Sequence, residues 1–119
     1  MISLKQEVRA LLEKTGAKVW YFYPASWVSL PVIAWHESGN RELRQADGRE
    51  HLAELSYTVD VWGDSPEKLD EIAREADRLL TGMRLRRDWS RDVYEPATGL
   101  HMRAAKYRCV ADAEGNIYQ

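Results

Sequence analysis

The sequence offers almost nothing from which covalent cross-links or membrane spans are built. Cys109 is the only cysteine in 119 residues, so no disulfide can form within the chain, and a reducing, cytoplasmic setting is expected. No segment approaches the run of about 20 apolar residues that crosses a bilayer. The first residues carry charges where a signal peptide would need an apolar stretch. We therefore expect a protein that is made and used in solution, without contact to a membrane.

The chain also lacks a large excess of charge of either sign. Its formal net charge is -2, without the basic excess typical of nucleic-acid-binding domains or the acidity of a disordered tail. Hydrophobic residues make up 45% and charged residues 30%, which is the balance of a soluble globular protein. We expect residues 1–119 to form a single domain, large enough for a core but too small for a deep active-site chamber as well.

Catalytic motifs are absent too. The sequence contains no phosphate-binding glycine-rich loop, no G-x-S-x-G elbow and no H-E-x-x-H zinc motif. His51 lies near Glu50 and Glu54, but one histidine with nearby acids lacks the spacing of metal ligands. Cys109 falls on the apolar side of a predicted strand, where a small core residue is favoured over a nucleophile. The sequence therefore predicts a protein that is not an enzyme and uses no metal or cofactor.

What the sequence does contain is clear hydrophobic periodicity. The segment 54–62 alternates apolar and polar residues, which is the pattern of a strand with one buried face. Apolar residues at helical spacing mark two helices, and Ser65 followed by Pro66 is typical of a helix start. The predicted elements are a helix at 4–14, strands at 19–23, 31–36 and 54–62, a helix at 66–82, and a hairpin with arms 84–95 and 100–111.

The order of these elements is α-β-β-β-α-β-β. Each helix has only one apolar face, so both helices are expected to cover the same face of a single sheet. The fold class predicted from the sequence is therefore α+β, with one mostly antiparallel sheet of four to five strands and two helices packed on one of its faces.

Two segments carry no periodic pattern. Residues 38–52 are highly charged and include two glycines, which predicts a long loop that becomes ordered on docking to a partner. Arg41, Arg44 and Arg49 of this loop are expected to contact that partner. The segment 112–119 is expected to be a frayed tail.

Aromatic residues are numerous for so short a chain. Five tryptophans and six tyrosines exceed what a small core can hide, and large amphipathic rings are favoured at protein interfaces. Trp27, in the segment 25–30, and Trp89 with Tyr94, in the predicted hairpin, are the hardest to bury together. We expect these three residues to contact neighbouring subunits.

Basic residues are predicted to form a stripe on the polar face of the hairpin. They are Arg84, Arg86, Lys106 and Arg108. Such a stripe could face DNA or an acidic neighbouring subunit, and phosphate contacts would make DNA binding depend on salt. The alternative is that these cations pair across strands with Glu54 and Asp60, which share the same facing.

Three stretches of the chain resemble the tail-completion, or tail-to-head joining, family of siphophages and prophages of Gram-positive hosts. Together they extend from about residue 4 to residue 111, and their order and spacing carry the likeness. The stretches are Tyr23-Pro24 followed by Leu30–Ile33, then Tyr57–Ser65, and finally Arg86–Leu100 followed by Met102–Arg108.

The resemblance implies a structural virion protein with no catalytic residues. It implies a ring, hexameric in form, that caps the tail tube protein and docks to the head connector protein, with DNA crossing its lumen without sequence-specific binding. The protein would lie in the tail or neck of the virion, and in the host cytoplasm during assembly. Alternatives are another neck, connector or minor tail protein, or, from a different class, a small nucleic-acid-binding regulator supported only by the basic stripe.

Overall fold

A computed structural model describes residues 1–118 of the chain. The predicted order of elements is confirmed, and one short strand follows it. The elements are α1 (Lys5–Glu13), β1 (Lys18–Tyr21), β2 (Val32–Ala46), β3 (Arg49–Gly63), α2 (Pro66–Gly82), β4 (Arg86–Glu95), β5 (Leu100–Asp112) and β6 (Ile117–Tyr118).

All the strands of the described chain form one sheet. Its order is β1-β2-β3-β5-β4, and β6 pairs with the far end of β5. The pairings are antiparallel except that β1 runs parallel to β2. The predicted α+β fold with a mostly antiparallel sheet is confirmed, and six strands are present in place of the four to five expected.

The core lies between one face of the sheet and the two helices. Leu55, Tyr57, Val59 and Val61 alternate along β3 and are 2% exposed or less, as their period-2 pattern predicts. The apolar stripes of α1 and α2 pack against them, and the two helices contact each other. Both helices therefore cover the same face of the sheet, as expected.

The start of α2 follows the chemistry predicted for it. The Ser65 hydroxyl accepts a hydrogen bond from the backbone N–H of Lys68 at 3.4 Å, and Pro66 occupies the first helical position. Because Ser65 comes directly after Gly63 and Asp64, α2 begins beside the end of β3. This short connection fixes the N-terminal half of α2 near the β4–β5 hairpin.

The prediction of a long loop at 38–52 is wrong. β2 and β3 pair across this segment up to the two-residue turn Asp47-Gly48, whose φ angles of 55° and 71° are both positive. Such a turn connects the strands of a tight hairpin. Residues 41–50, which we call the ribbon, contribute to two strands of 15 residues each, and the molecule measures 52 Å along its longest axis.

The ribbon escaped prediction because it has no face against the core. Residues 41–49 are all exposed, so no hydrophobic alternation is required there. Shifts of register after Glu37 and Glu42 further disturb the pattern. Strand pairing without a buried face leaves only the turn residues Asp47 and Gly48 as a sequence signal.

The prediction of a frayed tail is also wrong for residues 112–118, while Gln119 lies outside the described residues. The Asp112 carboxylate accepts hydrogen bonds from the N–H of Glu114 at 3.0 Å and of Asn116 at 2.9 Å. The Tyr118 hydroxyl donates to the same carboxylate at 2.8 Å. Desolvation opposes ionisation of Asp112, but these hydrogen bonds outweigh it and lower its pKa to about 2.

Candidate assembly surfaces

The side of the sheet that faces away from the helices is here called the open face. Residues paired across neighbouring strands point to the same side, so the strand register shows which side chains lie on this face. One row runs from Ala34 on β2 through Asp60 and Ala104 to Arg91 on β4.

The next row of the open face carries a cation and an indole. It runs from His36 through Thr58 and Lys106 to Trp89. Trp89 is 40% exposed, and the guanidinium of Arg91 lies 5.1 Å from the centre of its ring. A cation stacked on an exposed indole is a common element of protein and nucleic-acid interfaces.

Only part of the predicted basic stripe exists. Arg86 lies opposite Arg108 on the open face and Lys106 lies in the adjoining row, so these residues do share one side of the sheet. Arg84, however, precedes β4 and has a φ of 72°, which places it outside the strand. Arg91 belongs to the same surface and was missed, because a shift of register between Arg87 and Trp89 changes which residues of β4 face this side.

Arg108 is neutralised within the chain. Its guanidinium contacts the Asp88 carboxylate at 2.6 Å and the Glu54 carboxylate at 3.9 Å. The pairing with Glu54 that we considered as the alternative is therefore present, whereas Asp60 takes part in no ion pair within residues 1–118. Burial raises the pKa of the Asp60 carboxyl, while the nearby charges of His36 and Arg91 act in the opposite direction.

Trp27 lies over the open face, in the segment that connects β1 and β2. Its ring packs edge-on against Trp62 with the centres 5.3 Å apart, and Tyr23 packs against it in turn at 5.5 Å. Trp27 is therefore half-buried within its own subunit, and its expected contact with a neighbour stays a prediction. Val32 and Ala34 are nearly inaccessible although they face away from the helices.

Phe22 and Tyr23 are exposed rings that sequence reasoning did not select. Phe22 is 61% and Tyr23 65% exposed, and Phe22 stacks on His36 with ring centres 4.5 Å apart. The aromatic run was assigned to a strand at 19–23, but β1 ends at Tyr21 and Phe22 adopts a φ of 70°. Successive residues of a strand point to opposite faces, so a strand cannot bury a run of adjacent large rings on one face. This run therefore indicated that some of the rings would be exposed.

The predicted interface residues of the hairpin and the ribbon are accessible. Tyr94 is 55% exposed and its ring lies 4.7 Å from that of His101. Arg41 contacts Glu54 at 3.4 Å, while Arg44 and Arg49 are exposed and take part in no ion pair within the described chain. The structure thus separates these residues into two regions, the ribbon and the far end of the β4–β5 hairpin.

Ion pairs hold the β4–β5 hairpin against α2. Asp70 contacts Arg103 at 3.3 Å, and Arg103 contacts Asp92 of β4 at 2.7 Å. Further along α2, Asp77 contacts Arg87 of β4 at 3.0 Å. Pairing with β5 places β4 in the sheet, and these ion pairs add contacts between the exposed strand and the helix.

The groups with possible catalytic chemistry lie apart from one another. Burial raises the pKa of the Cys109 thiol to about 11, and the residue belongs to the core, as expected. Within residues 1–118, no three side chains of His, Cys, Asp or Glu are grouped in a way that could hold a metal ion. Neither helix of the described chain has the length and apolar character that a membrane crossing requires.

Comparison with known proteins agrees with the resemblance noted in the sequence. The model of a family described as Tail completion protein gp17 matches residues 3–112 of this chain. No curated protein matches it significantly. This family is structural and not enzymatic, which confirms the prediction that the chain is not an enzyme, and it implies a place in the virion. Since the match covers nearly the whole chain, the protein belongs to the Tail completion protein gp17 family of phage tail proteins.

Proposed function

We propose that copies of this chain close into a ring at the end of the phage tail and that the ring docks to the head. The ring is hexameric, it binds the tail tube protein on one side and the head connector protein on the other, and DNA crosses its lumen without sequence-specific contacts. The protein is in the host cytoplasm during assembly and in the neck of the finished virion. This proposal extends the structural tail-completion role of the family.

One observation carries the proposal: strand β4 is exposed along all ten residues although it bears large apolar side chains. Trp89, Val93 and Tyr94 are 40%, 38% and 55% exposed. Protein interfaces are enriched in tryptophan, tyrosine and arginine, and a few such residues contribute most of the binding free energy. A strand of this composition is expected to be covered by neighbours in the assembled particle.

The ribbon gives the subunit a projecting arm. Its strands are paired in the free subunit, so docking does not require it to fold, and the contacts of Arg44 and Arg49 are made by a preformed structure. Because residues 41–49 are all exposed, the arm can contact a neighbouring virion protein without disturbing the core. Trp27, Trp89 and Tyr94 are proposed to contact neighbouring subunits.

An in vitro joining assay tests this function. Tails lacking the protein are mixed with filled heads, and the purified protein is expected to restore infectious particles. Replacing both Arg44 and Arg49 by serine is expected to lower the yield at least about tenfold, the effect of losing about 1.4 kcal/mol of binding free energy. Replacing the exposed Lys14 at the end of α1 by serine serves as the matched control. A chain that binds neither tails nor heads would contradict the proposal.

Two alternatives remain distinguishable by experiment. Another neck, connector or minor tail protein would behave in one of two ways. It would bind filled heads in preference to tails, or it would bind tails without restoring the joining of heads to tails. A nucleic-acid-binding regulator is favoured only by the cations near Trp89 on the open face. That function predicts DNA binding in the absence of any virion component, with an affinity that falls steeply as salt is raised.

A further inference from the structure

The open face lies on the far side of the sheet from α2, and each of these two surfaces carries a group of exposed charges that form no ion pair within the described chain. Two sets of residues define them. The basic patch consists of Arg86, Arg91 and Lys106, and the acidic ridge consists of Asp64, Glu67 and Glu71. We propose that the basic patch of one subunit binds the acidic ridge of the next, and that this contact closes the ring. This inference rests on the ring proposed above.

The layered fold makes this contact a head-to-tail one. The helices cover one face of the sheet and the basic patch lies on the other, so a subunit cannot bring its own ridge to its own patch. Contacts between two different surfaces of identical chains form a ring when the rotation per subunit closes. The proposed interface therefore has the symmetry that the proposed function requires.

The acids of the acidic ridge meet no cation inside the described part of the subunit, although the Ser65 hydroxyl donates a hydrogen bond to Glu67 Oε2 at 3.1 Å. Asp64, Glu67 and Glu71 are exposed, and none of them takes part in an ion pair within residues 1–118. The other acids on α2 are engaged: Asp70 contacts Arg74 at 2.9 Å, and Glu75 contacts Arg78 at 2.6 Å. The first turns of α2 and the turn that precedes the helix thus carry three acids without an ion-pair partner, together with one exposed lysine, Lys68.

The basic patch is likewise left unpaired. Among the ion pairs of the described chain, the open-face cation Arg108 is engaged by carboxylates, whereas no carboxylate contacts Arg86, Arg91 or Lys106. Trp89 and Val93 lie on the same surface and remain 40% and 38% exposed. A partner bound here would cover apolar surface and satisfy charge together, as the centre of a stable interface requires.

The surface around the basic patch is also large enough for a stable interface between subunits. The sheet extends over a molecule of 52 by 24 Å, and each partner in a standard interface buries roughly 800 Å². The patch runs along β4 and β5, and α2 is a helix of 17 residues whose acids without an ion-pair partner, Glu67 and Glu71, lie in its first half. A helix of that length can lie along neighbouring strands over most of its extent.

A neighbouring subunit fits the basic patch better than DNA does. Asp60 lies in the same row as Arg91, and a phosphate backbone would bring only further negative charge to it. The outer surface of α2 carries both signs, because Lys68 lies beside Glu67 and Glu71 and can face a carboxylate. Mixed charge on both surfaces favours specific protein pairing.

A charge-swap experiment tests the contact. The patch variant carries Arg91→Glu with Lys106→Glu, the ridge variant carries Glu67→Lys with Glu71→Lys, and the combined variant carries all four changes. Assembly is followed by mass photometry of the protein alone and on purified tails that lack it. Lys14→Glu is the control for an unrelated charge reversal, and far-UV circular dichroism verifies that each variant is folded.

We expect each double variant to assemble at least about tenfold less well than the natural chain, and the combined variant to recover to within about threefold, since it restores pairs of opposite charge. Equal assembly by the natural chain and the double variants would overturn the inference. The inference would also be overturned if the double variants lost assembly and the combined variant did not recover it. If, in that case, the patch variant alone had lost binding to DNA, DNA would be the partner of the basic patch. A natural chain that forms no oligomer even on tails would refute the ring itself, and the inference with it.

Discussion

The hydroxyl of Tyr107 donates a hydrogen bond to Asp77 Oδ1 at 2.8 Å, and this contact links β5 to α2 across the edge of the core. Asp77 also accepts from Arg87 of β4 at 3.0 Å, so one carboxylate on the helix holds both strands of the hairpin. Strand β4, which carries Trp89 and Tyr94, is therefore placed by its pairing with β5 and by this helix carboxylate, and not by buried side chains of its own.

Replacing Tyr107 by phenylalanine is expected to lower the free energy of unfolding by about 1.5 kcal/mol, because a hydrogen bond to a charged acceptor is lost while the ring remains buried. Urea denaturation measures the change. Tyr23→Phe is the matched control, since the Tyr23 ring is 65% exposed and its hydroxyl makes no hydrogen bond within the described chain. Equal effects of the two substitutions would show that the Asp77 contact contributes nothing.

Alkaline pH is expected to destabilise the fold through the same buried hydroxyls. Burial raises the pKa of Tyr57 and of Tyr107 above the ordinary value of 10.0, so the folded state retains these protons more strongly than the unfolded state. The contribution of these groups to the free energy of unfolding is therefore fully present below pH 10 and decreases as the pH rises above it. Cys109 acts in the same direction from its ordinary value of 9.0.

The alkaline decline can be assigned by substitution. Chemical denaturation at a series of pH values between 8 and about 11.5 gives the slope of stability against pH. Tyr57→Phe and Tyr107→Phe are each expected to make the slope above pH 10 shallower than in the natural chain, because one proton fewer is released on unfolding. An identical slope in all three proteins would contradict the assignment.

The turn of the ribbon requires glycine at one position. Gly48 has a φ of 71°, and a side chain added there would meet no atom within 4 Å, so only the backbone conformation opposes substitution. Gly48→Ala is expected to lower the free energy of unfolding by about 1 kcal/mol. Gly82, the last residue of α2, also has open space around it but no positive φ, and Gly82→Ala is expected to be neutral or stabilising by up to about 1 kcal/mol. Thermal unfolding distinguishes the two signs.

The two tryptophans first assigned to interfaces are expected to behave differently. Trp27→Ala removes a ring that packs on Trp62 and should lower the free energy of unfolding by about 2 kcal/mol. Trp89→Ala should cost about 1 kcal/mol or less, because the ring is more exposed, while reducing assembly on tails. Denaturation and the joining assay are run on both variants. A folded, stable Trp89→Ala protein with normal joining would remove Trp89 from the proposed interface.

Sequence reasoning succeeded where burial imposes a period. The alternation from Leu55 to Val61 and the helical stripe of α2 exist because these residues must face one common core, and that requirement is visible in the residues themselves. Ser65 and Pro66 similarly mark the start of α2 through local backbone chemistry. The same reasoning located the hairpin turn between β4 and β5, where proline and glycine act locally.

It failed where contacts are set by the arrangement of strands. The ribbon has no buried face, so its charged residues resemble a loop. β6 is too short to show a period, and it is held by pairing with β5 and by the hydrogen bonds of the Asp112 carboxylate. The identity of the unpaired cations depended on which carboxylate each one meets in space. Arg108 meets Asp88 and Glu54, while Arg91 enters the same surface only through the shift of register beside Trp89.

The sequence by itself determined the order of elements, the fold class and the residues of the core, because each of these follows from periodic burial along the chain. Only the tertiary structure decided which charges remain for a partner. Pairing brings residues far apart in sequence within a few ångströms of one another, and a carboxylate at that distance removes a cation from the surface available for binding. Arg86, Arg91 and Lys106 were left without such a neighbour by the strand order β3-β5-β4, which no pattern along the chain specifies.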